Sequence, residues 1–192
     1  FGLAALILLF GPVSGAHFNP VVSFADWFLG RRSGRGLSLP QAGAYTLAQV
    51  AGGIAGAVLA NVMFDLGTAI STKQRVTSGH LVAEVVATAV LVALIFALVR
   101  SDRGAFAAPA VGAYIGAAYW FTSSTSFANP AVTVGRIFTD TFAGIAPSSA
   151  PAFIAMQIVG LAVGTGLTLA LYPDAGTKAD DVVVPHGHST GR

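Results

Sequence analysis

Four stretches of this 192-residue chain, residues 1–25, 36–64, 104–135 and 141–173, contain no Asp, Glu, Lys or Arg, and residues 81–99 contain only Glu84. About 20 apolar residues in helix cross the hydrocarbon core of a bilayer. The uncharged stretches therefore bound the architecture as an all-α membrane bundle. Composition agrees, with 54% hydrophobic and only 9% charged residues. A soluble domain is about a quarter charged, so this chain has too few polar side chains to coat a water-facing surface. The expected spans are residues 39–64, 80–100, 105–121 and 147–172, with residues 1–12 as the end of another helix. Residues 13–30 and 122–142 mix polar and apolar groups. The tail, residues 173–192, holds few large apolar side chains and is expected to be disordered.

The net charge of +2 and the placement of basic residues in loops give no footprint for nucleic acid. There is no cysteine, hence no disulfide framework, thiolate metal site or thiol chemistry. His186 and His188 stand two apart in the tail, too few ligands for a metal cage. No cofactor or metal site is expected. The chain opens on an apolar run with no initiator Met and no basic leader, so this opening is expected to be a cut end.

An internal repeat organises the rest. Gly15-Ala16-His17-Phe18-Asn19-Pro20-Val21-Val22 resembles Ser126-Phe127-Ala128-Asn129-Pro130-Ala131-Val132, with Asn129 110 residues after Asn19. Gly2 pairs with Gly112 at the same offset, and Gln49-Val50-Ala51-Gly52 pairs with Gln157-Ile158-Val159-Gly160 at an offset of 108. Each unit reads span, polar re-entry at Asn-Pro, span. The first repeat, residues 1–64, is incomplete beside the second, residues 80–172. The partner of the 80–100 span would precede residue 1, so a whole protein of six spans is expected, with the first and part of the second missing here. An odd number of spans per unit inverts its topology and relates the two units by a two-fold axis in the membrane plane. With the loop after the first Asn-Pro cytoplasmic, Arg31, Arg32, Arg35, Arg100, Arg103, Lys178 and Arg192 share one side, and Lys73, Arg75 and Arg136 the other. That bias is positive-inside, with the tail cytoplasmic.

Each Asn-Pro precedes about ten mostly apolar residues, 21–30 and 131–140. Ten residues of helix rise about 15 Å, half a bilayer. Asn favours the N-cap and Pro the first helical position, so each motif is expected to start a half-helix. Two half-helices entering from opposite sides bring their positive dipole ends together and repel cations. Asn19 and Asn129 can donate to a passing oxygen. The carbonyls of Gly15, Ala16 and His17, and of Thr125, Ser126 and Phe127, are expected to form an acceptor track.

At these residues the chain resembles the aquaporin/aquaglyceroporin (major intrinsic protein) family. Residues 14–22 look like the first signature loop, with Val21 where the usual triplet Asn-Pro-Ala has Ala, and Asn129-Pro130-Ala131 is the second signature. The resemblance implies six spans, two re-entrant half-helices, a pore in every subunit and a homotetramer in a plasma or inner membrane. It also implies a filter beside the second motif. Family members usually carry Arg three positions after the second Asn, and here that position is Val132. By the same register Ser126 and Ala117 are the loop and fifth-span members, while the second-span member falls at or beyond the start. Val132, Ala117 and Ser126 suggest a constriction wider and less polar than a strict water channel's. Glycerol, urea or neutral metalloid hydroxides such as arsenous acid then join water as expected solutes. The pattern resembles a bacterial aquaglyceroporin branch associated with arsenic handling. Thr133 stands where glycerol facilitators commonly have Asp.

Glu84 lies within a span, where a carboxylate is costly and needs partners. The resemblance implies a structural acid that binds backbone N–H groups of the re-entrant loop. His17 could face the pore or serve loop packing. Tyr119, Trp120 and Trp27 suit an interfacial belt. No catalytic constellation is visible, so an enzyme is not expected. A non-conducting structural or assembly protein is the alternative reading. A proton-coupled transporter would carry more ionisable groups in its spans than Glu84 alone.

Overall fold

The computed structural model describes residues 1–31 and 34–173. The expected tail beyond Pro173, with Lys178, His186, His188 and Arg192, lies outside the described residues, as does Arg32. Among the described residues seven α-helices follow in order: α1 Gly2–Ser14, α2 Pro20–Gly30, α3 Leu39–Met63, α4 Ser78–Arg100, α5 Ala107–Phe121, α6 Pro130–Gly135 and α7 Ala150–Leu171. Short 3-10 turns, Gly104–Phe106 and Arg136–Phe138, lead into α5 and out of α6. Among the described residues there is no strand, as the uncharged stretches require. Three helices of the described residues, α3, α4 and α7, are long and apolar enough to cross a membrane.

Local chemistry sets the boundaries. Ser38 and Gln41 form a reciprocal capping box at α3. Thr77 accepts from His80 N at 3.1 Å and starts α4 two residues before the expected position. α1 runs through Pro12 and stops where Gly15 turns left-handed at φ 69°. The second half-helix is shorter than the expected residues 131–140. Its α-helical part ends at Gly135, and Thr139 is extended at φ −142°. Asn61 of α3 explains the exit. Its amide donates to Phe138 O at 3.0 Å and its oxygen accepts from Thr139 Oγ1 at 2.7 Å. α7 begins at Ala150 rather than 147, because Ala146 N donates to Lys73 O and Ser149 N donates back to Ala146 O.

The repeat is visible in the backbone. Gly15 and Ala16 have φ 69° and 51°, and their counterparts Thr125 and Ser126 have φ 64° and 48°. Left-handed backbone at non-glycine residues costs of order 1 kcal/mol or more and persists only when surroundings impose it. Both signature loops therefore share an imposed left-handed pair, and the second adds a third left-handed residue, Ala128 at φ 47°, without a counterpart at Phe18.

Packing differs between the two units. α4 is central, with 61% of its apolar window buried, against 6% for α3. α7 approaches α4 through glycines. A Cβ on Gly164 would stand 2.5 Å from Ala89 O, and one on Gly160 would stand 2.6 Å from Thr88 Cβ. At the corresponding α3 positions, Gly52 and Gly56 have nothing within 4 Å. The small-residue face that receives α4 in the second unit is thus uncovered in the first, among the described residues.

This geometry predicts opposite outcomes for two substitutions on one helix. Gly164→Ala should destabilise the detergent-solubilised protein by about 1–3 kcal/mol, because the new methyl meets α4 backbone. Gly166→Ala, with open space around it, should be neutral or stabilising by about 0.5–1 kcal/mol. Thermal unfolding monitored by size-exclusion fluorescence distinguishes them; equal midpoints would contradict the packing described.

Candidate functional site: the crossed Asn-Pro junction

Asn19 and Asn129 each act in two directions. Asn19 Oδ1 accepts from Val21 N at 3.1 Å, and Asn129 Oδ1 accepts from Ala131 N at 2.9 Å and Val132 N at 3.2 Å. These bonds cap α2 and α6, with Pro20 and Pro130 as first helical residues. The side-chain amides reach across the repeat. Asn19 Nδ2 donates to Ala128 O at 2.7 Å, and Asn129 Nδ2 donates to Phe18 O at 2.9 Å. The two helix N-termini are therefore tied head to head. An NH2 group has two hydrogens, so each Asn keeps one donor beyond this bond.

Both Asn side chains border a cavity of about 170 Å3, together with Ala16, Ser126, Phe127, Val132 and Arg136. α5 reaches this cavity through Val111 and Ile115. Ala117, expected as the fifth-span filter member, is exposed and is not among the lining residues. Ser126 and Val132 are brought together there; Ala117 does not join them. Val21 and Pro20 border a separate apolar groove with Phe24 and α7, while Ala131 is buried beside α3. Val132 also borders two cavities alongside α3, of about 490 and 580 Å3. The wall on that side is open among the described residues.

The first carbonyl track also receives donors from within the protein. Ala16 O accepts from Phe18 N at 2.9 Å, and His17 O accepts from Gln49 Nε2. Ala16 and His17 thus each use one acceptor position, because the left-handed turn folds the loop back on itself and α3 supplies a donor, and each carbonyl keeps a second lone pair. The His17 ring packs against Tyr45 at 5.5 Å between centroids. Of the expected track, Gly15, His17 and Thr125 do not line the central cavity, whereas Ala16, Ser126 and Phe127 do.

Glu84 organises the second loop. Its Oε1 accepts from Ser124 Oγ at 2.6 Å and Phe127 N at 2.9 Å. Its Oε2 accepts from Ala128 N at 2.8 Å and Gln157 Nε2 at 2.7 Å. The carboxylate is wholly buried. Four donors, two of them backbone, offset the cost of holding an acid there. Gln157 Nε2 also donates to Thr133 Oγ1 at 2.9 Å, which in turn donates to Asn129 O at 2.9 Å. The chain of bonds runs from α4 through α7 to the start of α6. In the first unit Gln49 Nε2 donates to Ser23 Oγ at 3.1 Å, the counterpart of the Gln157–Thr133 bond.

The loop at residues 64–77 lies over the far end of α6. Ser71 N donates to Ile137 O at 2.8 Å, and Thr72 N to Asp140 Oδ1 at 2.9 Å. The Thr72 backbone bond, aided by the Thr72 hydroxyl and Lys73, holds the Asp140 carboxyl below its usual range against a smaller desolvation penalty. Arg75 donates from Nε to Gly144 O at 2.6 Å and from Nη2 to Phe142 O at 2.5 Å. Its guanidinium lies 5.0 Å from the Phe127 ring centre, and that of Arg136 lies 4.2 Å from the same centre. Arg136 Nη1 is buried and has no hydrogen-bond partner among the described residues.

Sequence reasoning missed Gln157, Ser124, Asn61 and Arg136. The pairing of Gln49 with Gln157 across the repeat was a usable signal for Gln157. Nothing local marked the others, which are ordinary polar residues made important by neighbours far along the chain.

If Glu84 is the anchor of this loop, Glu84→Gln should cost about 2–4 kcal/mol of stability. The amide presents a donor to groups that are themselves donors and removes the charge that strengthens their bonds. Thermal unfolding in detergent measures it, and a variant within about 0.5 kcal/mol of the parent, the range of ordinary surface changes, would contradict the role.

Comparison with known proteins agrees with this geometry. The family model described as Major intrinsic protein matches residues 1–126. Among curated relatives, an aquaglyceroporin, AqpS, from Rhizobium meliloti (strain 1021) is 48% identical over 159 residues, covering 82% of this chain and 66% of its own length. A propanediol uptake facilitator, PduF, from Citrobacter freundii is 30% identical over 139 residues, covering 60% of this chain and 50% of its own. A probable aquaporin, PIP2-8, from Oryza sativa subsp. japonica is 36% identical over 115 residues, covering 55% and 39%. The chain thus spans less than two thirds of the length of each. Two tied Asn-Pro half-helices in an apolar helical repeat and a family match over most of the chain lead to one conclusion: the chain belongs to the major intrinsic protein family, whose members are membrane channels rather than enzymes.

Proposed function

We propose that the protein is a passive transmembrane channel for small neutral solutes, with residues 1–172 as its channel domain. The observation that carries this reading is the crossed junction of Asn19 and Asn129, tied amide to carbonyl beside a cavity. Two converging helix N-termini place positive potential at that point. A cation entering there loses hydration and meets repulsion; a neutral hydroxyl or carbonyl finds the remaining Asn N–H donors. Ser126 and Val132 beside the junction are small, which favours solutes larger than water. Glycerol, urea and neutral metalloid hydroxides such as arsenous acid are the proposed cargo together with water. The names of two relatives, an aquaglyceroporin and a propanediol uptake facilitator, support polyols. A homotetramer in the plasma or inner membrane, with residues 173–192 as a cytoplasmic tail, completes the proposal.

A second reading, a non-conducting structural or assembly protein, draws on the open wall beside Val132 and α3. One assay separates the two. Proteoliposomes carrying the full-length protein should shrink and reswell in stopped-flow light scattering faster than empty liposomes when challenged with glycerol or urea. Water, glycerol and urea permeabilities all equal to those of empty liposomes would contradict the channel.

A further inference from the structure

We propose that Arg136 supplies the solute-facing cation of the constriction, taking over from one helical turn away the part that Val132 cannot play. The inference rests on the channel reading above and deepens it. Arg136 follows Val132 by four residues, so α6 and the 3-10 turn after it bring both to one side. Both border the cavity that holds Asn19, Asn129 and Ser126, and both border the next cavity beyond it toward Thr139. Arg136 thus stands where the two spaces meet.

Its guanidinium is positioned from within the chain. It lies 4.2 Å from the centre of the Phe127 ring, and Phe127 is itself fixed by a Glu84 bond to its N–H and by the Phe153 ring at 5.3 Å. Phe127 adjoins Ser126 in sequence, so the cation sits over the loop that lines the cavity. The charge is not consumed there. Among the described residues, Arg136 Nη1 is buried without a partner, and so is Ser126 Oγ. A buried donor left unmade is costly, and such groups commonly mark where a ligand or water binds. The other candidates are occupied. Arg75 gives its N–H groups to the carbonyls of Gly144 and Phe142, and both Glu84 oxygens are taken by loop donors and Gln157. A guanidinium donor and a hydroxyl that are unpaired among the described residues, on two residues lining the same cavity, suit a small neutral solute that both accepts and donates through oxygen, a polyol or a neutral hydroxide. The same charge adds to the barrier against cations.

These 192 residues contain no cysteine, so Arg136→Cys, in proteoliposomes of the full-length protein with any cysteine outside them changed to serine, gives a single reactive site. In R136C the ratio of glycerol to water permeability should rise roughly threefold or more, because the cation and its bulk leave the constriction. Attaching an aminoethyl group by a methanethiosulfonate reagent restores a positive charge and should return the ratio toward the parent value. A neutral methylthio group should not. R136K should stay near the parent. If R136A fails to insert, R136C before and after modification supplies the comparison within one folded protein. A parent without permeability would sink the channel reading itself. A conducting parent, with a ratio unmoved in R136C and insensitive to which reagent is used, would overturn the assignment of Arg136 alone.

Discussion

Two short helices that point their N-termini at one another inside an apolar bundle carry partial positive charges that repel, and their first N–H groups need acceptors. The junction answers both demands with two side chains. Each Asn caps its own helix with its oxygen and binds the opposite loop with its amide, so the same residue that starts a half-helix also holds it against its partner. Neither loop reaches this shape alone. The left-handed residues at Ala16, Thr125 and Ser126 are unfavourable for side-chain-bearing residues and must be held by their surroundings. In the second unit Glu84, Ser124 and Gln157 do this from α4, the loop and α7. In the first unit Gln49 does so from α3.

The close helix contacts serve the same end. Gly135 and Gly53 bring α6 and α3 together so tightly that a Cβ on Gly135 would stand 2.5 Å from Gly53 O. Gly160 and Gly164 do the same for α7 and α4. Without a hydrophobic drive between helices in lipid, such approach is what fixes their relative positions. The half-helices then sit on rigid neighbours, and the polar loops are held at depth within protein.

Much of this was legible in the sequence, because it depends on local chemistry repeated twice. Long uncharged stretches dictated helices, Asn-Pro dictated two capped starts, and the 110-residue offset dictated that the starts would resemble each other. Glu84 stood out because a lone acid in a span demands partners. What was not legible depends on long-range contact. Asn61 cuts α6 short by binding Phe138 and Thr139, more than seventy residues away. Gln49 takes one acceptor position of the His17 carbonyl, a contact the linear pattern does not show. Ala117 follows a register count along α5, yet the cavity is met by Val111 and Ile115. Arg136 falls inside the expected half-helix, one turn after Val132, yet only the cavity it shares with Asn19, Asn129 and Ser126 singles it out.

The central claim is that the two Asn-Pro loops form one mechanical unit through reciprocal bonds. A double-mutant cycle of Asn19→Ala and Asn129→Ala, read as thermal unfolding of the detergent-solubilised full-length protein, tests it most directly. Groups within one bonded network couple by about 0.5–3 kcal/mol, so the double variant should lose measurably less or more than the sum of the singles. Additivity within about 0.3–0.5 kcal/mol, the behaviour of independent sites, would contradict the account.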